Sequence, residues 1–223
     1  MSNLKPAFDF LQQLEKNNNR VWFSEHKNEF DAIVKDNKSF FEDIFATLST
    51  HDFLGNMQIF RIYKDVRFSK DKTPYKTNFG VGFGRNKPKY RGGYYLHLQP
   101  GNSFVGGGFW APEKDDLYRI RKEFEKDNQT INTIVSEPIF QKYFGELQGE
   151  QGVKTAPKGF DKNNPAIELI KKKQFVVIRK FTDKEILSSD FDKRIIETFL
   201  AMRPFLDYMT EILTTDLNGE SLI

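Results

Sequence analysis

The chain contains no cysteine. That excludes disulfides, thiolate nucleophiles and cysteine metal sites, and it fits a reducing compartment. Histidine is scarce, with His26, His51 and His97 the only three. No two of them stand at ligand spacing and no HExxH occurs, so the sequence offers no metal site. Long hydrophobic runs are missing. No stretch approaches the roughly 18 apolar residues of a membrane span, and no membrane partner is expected. The opening MSNLKPAFDFLQQLEK runs straight into a polar helical pattern. It lacks the basic start, apolar run and small-residue cleavage site of a leader. Together with the missing cysteines, this makes a cytoplasmic location the expectation. Strong net charge is also lacking: +3 over 223 residues does not by itself imply a polyanion partner.

What the chain has in quantity is phenylalanine, 23 residues of it, so the core is expected to be aromatic. The length suits one domain. A helix is predicted over 6–17, with Pro6 at its first turn and Asn17, Asn18 and Asn19 ending it. A second starts near Ser24 as N-cap, with Trp22 and Phe23 just before it, and buries Phe30, Ile33, Phe41, Ile44 and Leu48 at a 3.6-residue period. The middle reads as β-structure. Ile59–Ser69 alternates, with Phe60, Ile62, Val66 and Phe68 on one side. Phe79, Val81 and Phe83 form the apolar side of the next strand, and Gly80, Gly82 and Gly84 the other. Gln99-Pro100-Gly101-Asn102 reads as a type II turn closing a hairpin. Placing Leu98 opposite Ser103 sets His97 against Phe104 and Tyr95 against Gly106. Helices are predicted over 114–128, 129–136, 138–144 and 165–173, a strand over 175–181, and a final helix over 191–213 that Pro204 should kink or split. Helices flanking a run of strands predict a single α+β domain with an antiparallel sheet.

Positive charge is concentrated in FRIYKDVRFSKDKTPYKTNFGVGFGR, residues 60–85. Its seven cations against two acids exceed the net charge of the whole chain. Arginine presents a planar fork of donors that matches carboxylate or phosphate oxygens. Arg61, Arg67, Lys72 and Lys76 are therefore candidate anion ligands, with Tyr63, Tyr75 and Tyr95 supplying hydroxyls and ring faces. Glycine weakens a strand, so Gly80, Gly82, Gly84, Gly106 and Gly108 mark a surface that something approaches closely: a ligand, or a helix of the same chain. GVGFG at 80–84 is a strand pattern and not a phosphate loop. His97 and Asp65 are the candidates for moving a proton, since an imidazole titrates near neutrality.

Arg61, Lys64, Asp65, Arg67, Phe68, Asp71, Lys72 and Tyr75 together resemble the signature of a mainly bacterial family filed as domain of unknown function 2461. Lys64 stands where that family usually carries arginine, which keeps the charge and loses the fork. Asn18-Asn19-Arg20-x-Trp22-Phe23, Gly106-Gly107-Gly108-x-Trp110, Pro157-Lys158-Gly159-Phe160-Asp161 and Met202-Arg203-Pro204 resemble its other landmarks. The resemblance spans nearly the whole chain and implies no reaction and no cofactor. Three functions follow as expectations: a site for an anionic small molecule, a single-stranded nucleic-acid surface on basic and aromatic residues, or an interaction module without catalysis.

Overall fold

The computed structural model describes residues 4–149 and 152–223. Three helices lead in: α1 (Lys5–Lys16), α2 (Arg20–Glu25) and α3 (Lys27–Ser49). Strands β1 (Leu54–Ile59), β2 (Phe79–Arg85), β3 (Gly93–Leu98) and β4 (Ser103–Phe109) follow. Then come α4 (Lys114–Lys126), α5 (Gln129–Ser136), α6 (Pro138–Tyr143), α7 (Ile167–Lys171), strand β5 (Phe175–Phe181), α8 (Asp183–Ile186) and α9 (Phe191–Thr214). The five strands form one antiparallel sheet in the order β1-β2-β3-β4-β5. The fold is α+β, with helices before and after the sheet. Among the described residues no helix is long and apolar enough to cross a membrane.

Side chains alternate across each strand, so one side of the sheet is largely apolar. Phe79, Val81, Phe83, Tyr94, Leu96, Leu98, Val105, Phe175 and Val177 are all buried. Helix α9 lies under this side. The Phe199 ring sits 5.6 Å from that of Phe83 and 4.9 Å from that of Tyr94. A Cβ on Gly107 would stand 2.5 Å from the Met202 sulfur, so the small residue lets the helix approach. Pro204 lies inside α9 and does not split it. Its lost N–H bond is tolerated where both ends of the helix are held by a buried apolar stripe.

The β3–β4 hairpin has the predicted register, with Tyr95 opposite Gly106 and His97 opposite Phe104. Its turn is closed by Asn102 N–H donating to the Gln99 carbonyl at 2.9 Å, with Gly101 at φ +72. Two predicted elements are corrected. Ser24 does not cap a helix; it lies within α2, which starts one turn earlier because the Asn19 side chain accepts from Trp22 N–H at 3.0 Å. Trp22 and Phe23 are therefore helical. Residues 60–69 are not a strand. The sheet strand is β1, ending at Ile59; Phe60 N–H still donates to the Gly80 carbonyl at 2.9 Å, and beyond it the segment forms a bridge between Tyr63 and Tyr75. The physical reason is local. The Asp65 and Asp71 carboxylates accept from the N–H groups of Arg67 and Thr73, at 3.2 and 2.9 Å, and fold the chain into turns.

Candidate functional site

Among the described residues, no helix lies over the centre of the other side of the sheet. The register places Phe60 and Gly82, Tyr95 and His97, Phe104, Gly106 and Gly108, and Val176 and Ile178 on it. These residues and the exposed Trp110 line an open cavity of about 580 Å³. Its walls are almost wholly aromatic and aliphatic, and its floor is strand backbone.

The glycines of this face have two roles. A Cβ on Gly80 would stand 2.5 Å from the Tyr95 hydroxyl, and one on Gly82 would press on the Phe60 ring at 3.3 Å. Side chains of neighbouring strands thus lie flat across β2, and glycine is what admits them. A Cβ on Gly106 or Gly108 would instead meet the β5 backbone, and Gly106 is itself buried. The face is partly roofed by its own tyrosine and phenylalanine and open above β4.

The polar part of the cavity is a short chain of side chains. His97 stacks on Phe104, with centroids 4.6 Å apart and rings 10° from parallel. Its Nε2 lies 3.0 Å from Gln99 Oε1, and its Nδ1 lies 3.2 Å from the Tyr95 hydroxyl and 3.4 Å from Asn78 Nδ2. Burial lowers the His97 pKa below the ordinary histidine value of 6.5, opposed by the bond to Gln99. Burial also raises that of Tyr95, so both groups are neutral near pH 7.

The cations of the basic segment do not line this cavity. Of the anion ligands expected from the sequence, Tyr95 alone is among the residues lining it; Arg61, Tyr63, Arg67, Lys72, Tyr75 and Lys76 are not. Arg67 is exposed and forks onto Asp65, with Nε–Oδ1 3.0 Å and Nη2–Oδ2 2.6 Å. This bond holds the Asp65 carboxyl below the usual range, and Asp65 lies away from the cavity wall. Lys64 bridges Asp71 and Thr73, whose bonds depress the Asp71 pKa strongly. Lys72 donates to the Val66 carbonyl at 3.0 Å. Tyr75 is buried, stacked 4.0 Å from Phe23, and its backbone is held at both N–H and carbonyl by the Asn18 side chain. Tyr63 is half exposed against the same ring. Much of the signature therefore shapes and anchors a loop. Phe68, at its tip, is 96 % exposed.

Three features escaped sequence reasoning. Lys180 is exposed and pairs with Phe104 across β4 and β5, which makes it the cation on the strand positions of the cavity face. The alternation of FVVIRKF carried that signal, since Val176, Ile178 and Lys180 share a side. Gln99 was read only as a turn residue. Arg85, counted with the basic cluster, points to the helical side and is fully buried. Its Nε lies 2.8 Å from Asp52 Oδ2, and Asp207 is its second carboxylate. A further cavity of about 610 Å³ lies between α3 and α9. Asp36, Asp43, Asp192 and Glu197 outnumber its one lysine, Lys193, so its charge opposes an anionic guest.

Fold and site define a single α+β protein whose antiparallel meander is roofed by helices on one side and opens an aromatic cavity on the other. The chain belongs to the family described as conserved hypothetical protein (DUF2461), whose model matches residues 6–208. Comparison with curated proteins and with solved structures gives no match.

Proposed function

We propose that the protein binds a small molecule with a flat apolar body and an anionic group on the open face of its sheet. The observation that carries this reading is the cavity of about 580 Å³ with a backbone floor and aromatic walls. Its size is that of small-molecule sites, which are mostly apolar with a few placed polar groups. Phe104 and Trp110 offer ring faces for stacking. Lys180, beside Phe104, is the cation placed for a carboxylate or phosphate at the rim. No reaction is assigned.

The test is calorimetry with aromatic carboxylates and phosphates, naphthoate first. Ile178→Trp, which fills the cavity, abolishes binding, and Lys180→Glu weakens it severalfold while leaving the neutral methyl ester unaffected. Binding that survives Ile178→Trp would move the ligand elsewhere. Exposed Phe68 beside Arg67 and Lys70 favours one alternative, a single-stranded nucleic acid stacked on the loop. Tight oligonucleotide binding that falls steeply with salt and disappears in Phe68→Ser would replace the small-molecule reading.

A further inference from the structure

We infer that the Tyr95–His97–Gln99 chain makes the cavity selective for a ligand presenting an N–H or O–H donor to the Tyr95 oxygen. This rests on the small-molecule reading above. The direction of the chain follows from the Gln99 amide, placed with Oε1 toward His97 and Nε2 toward Thr77. The Gln99 amide is oriented by two neighbours: its Nε2 donates to Thr77 Oγ1 at 3.3 Å, and its Oε1 faces Asn102 Nδ2 at 3.4 Å. Its backbone is fixed as well, donating to Ser103 Oγ at 2.9 Å. With Oε1 facing His97, the imidazole proton must sit on Nε2 to make the 3.0 Å bond. Nδ1 then carries a lone pair, and the Tyr95 hydroxyl donates its single proton there.

A phenol has one proton. Spent on His97, it leaves the oxygen of Tyr95, a residue of the cavity wall, with lone pairs alone. A ligand N–H or O–H completes the chain. A ligand acceptor at the same point meets lone pairs, or must draw the proton away from His97 and leave Nδ1 to the longer contact with Asn78. Apart from the Trp110 indole N–H, the neighbouring walls of Phe60, Phe104 and Ile178 offer such an acceptor nothing in exchange. The place of the hydroxyl is itself built, since Gly80 leaves the space it occupies. Sites made to hydrogen-bond a ligand group discriminate against analogues lacking it, because the unmatched polar atom is left unpaired.

The matched probes are hydroxynaphthoate and methoxynaphthoate, which share ring and carboxylate; the ether keeps the acceptor oxygen, loses the donor and adds a methyl group. Calorimetry on the wild-type protein is expected to give at least roughly tenfold tighter binding of the hydroxy compound. Tyr95→Phe binds both with the preference gone. Gln99→Leu keeps Tyr95 and frees the tautomer, so the preference shrinks there too. Equal or reversed affinities in the wild type overturn the donor rule alone and leave the cavity reading standing. Failure of both compounds to bind overturns the two together.

Discussion

Replacing Asp52 by alanine tests whether the sheet and its helical layer are locked by one buried charge cluster. Arg85 and Asp52 have fully buried side chains, with Nε–Oδ2 at 2.8 Å and Nη2–Oδ1 at 3.0 Å. The Tyr94 hydroxyl donates to the same carboxylate, and Arg85 Nη1 donates to Thr210 at 3.0 Å. Residues from the α3–β1 turn, β2, β3 and α9 thus meet at one guanidinium. Burial opposes the Arg85 charge, but the Asp52 and Asp207 carboxylates outweigh it and raise its pKa. Burial and the bond to Asp52 push the Tyr94 pKa far up, so its phenol is a donor at any working pH. Asp52→Ala removes the enclosed counter-charge and leaves Asp207, which is half exposed. Breaking a buried pair by deleting one partner costs about 3–5 kcal/mol. For a chain of this length, that is a fall in Tm of roughly 6–20 °C. Tyr94→Phe, which leaves the ion pair intact, costs less, about 1.5–3 kcal/mol. Urea denaturation of both variants and of the double mutant isolates their coupling. A loss under about 1 kcal/mol for Asp52→Ala would refute the argument, because Asp207 or water would then be sustaining Arg85.

Two further outcomes follow from the packing and from the site. Gly107→Ala sets a Cβ 2.5 Å from the Met202 sulfur and 2.7 Å from the Gly93 carbonyl oxygen. The methionine can move and the backbone oxygen cannot, so urea midpoints should show a loss of about 1–3 kcal/mol; no loss would mean that α9 stands farther from the sheet. His97 holds a pKa below 6.5 in the folded state because it is buried. As pH falls through 6.5 the unfolded chain takes the proton first, so stability present above that pH declines until the folded pKa is passed. The groups facing the ring are Tyr95, Asn78, Gln99 and Phe104, none of them a carboxylate. Nuclear magnetic resonance titration that puts His97 at or above 6.5 would contradict its burial.

The fold was legible where local chemistry has one solution. The Pro100–Gly101 turn admits one tight hairpin, and its register carries Tyr95 and His97 to one side. The strand over 175–181 and the last helix follow from unbroken periodicity. The segment 60–69 misled because alternation of apolar and charged residues is necessary for a half-buried strand but not sufficient. Side chains of Asp65 and Asp71 compete for the backbone N–H groups, and no periodicity count registers that competition.

The candidate site was half legible for a related reason. Sequence shows which residue types are close along the chain, whereas a cavity is lined by residues close across strands. Tyr95, His97 and the glycines came through because they sit on paired strands whose register was readable. Lys180 reaches the same face from β5, distant from Phe104 along the chain but adjacent to it in the ladder. The glycines show the difference most directly. Gly80 was read as room for a guest or a helix, and what occupies that room is the Tyr95 hydroxyl. The missing side chain therefore does positional work on the one polar group from which the ligand preference is argued, and Gly80→Ala must disturb that preference before it disturbs the cavity walls.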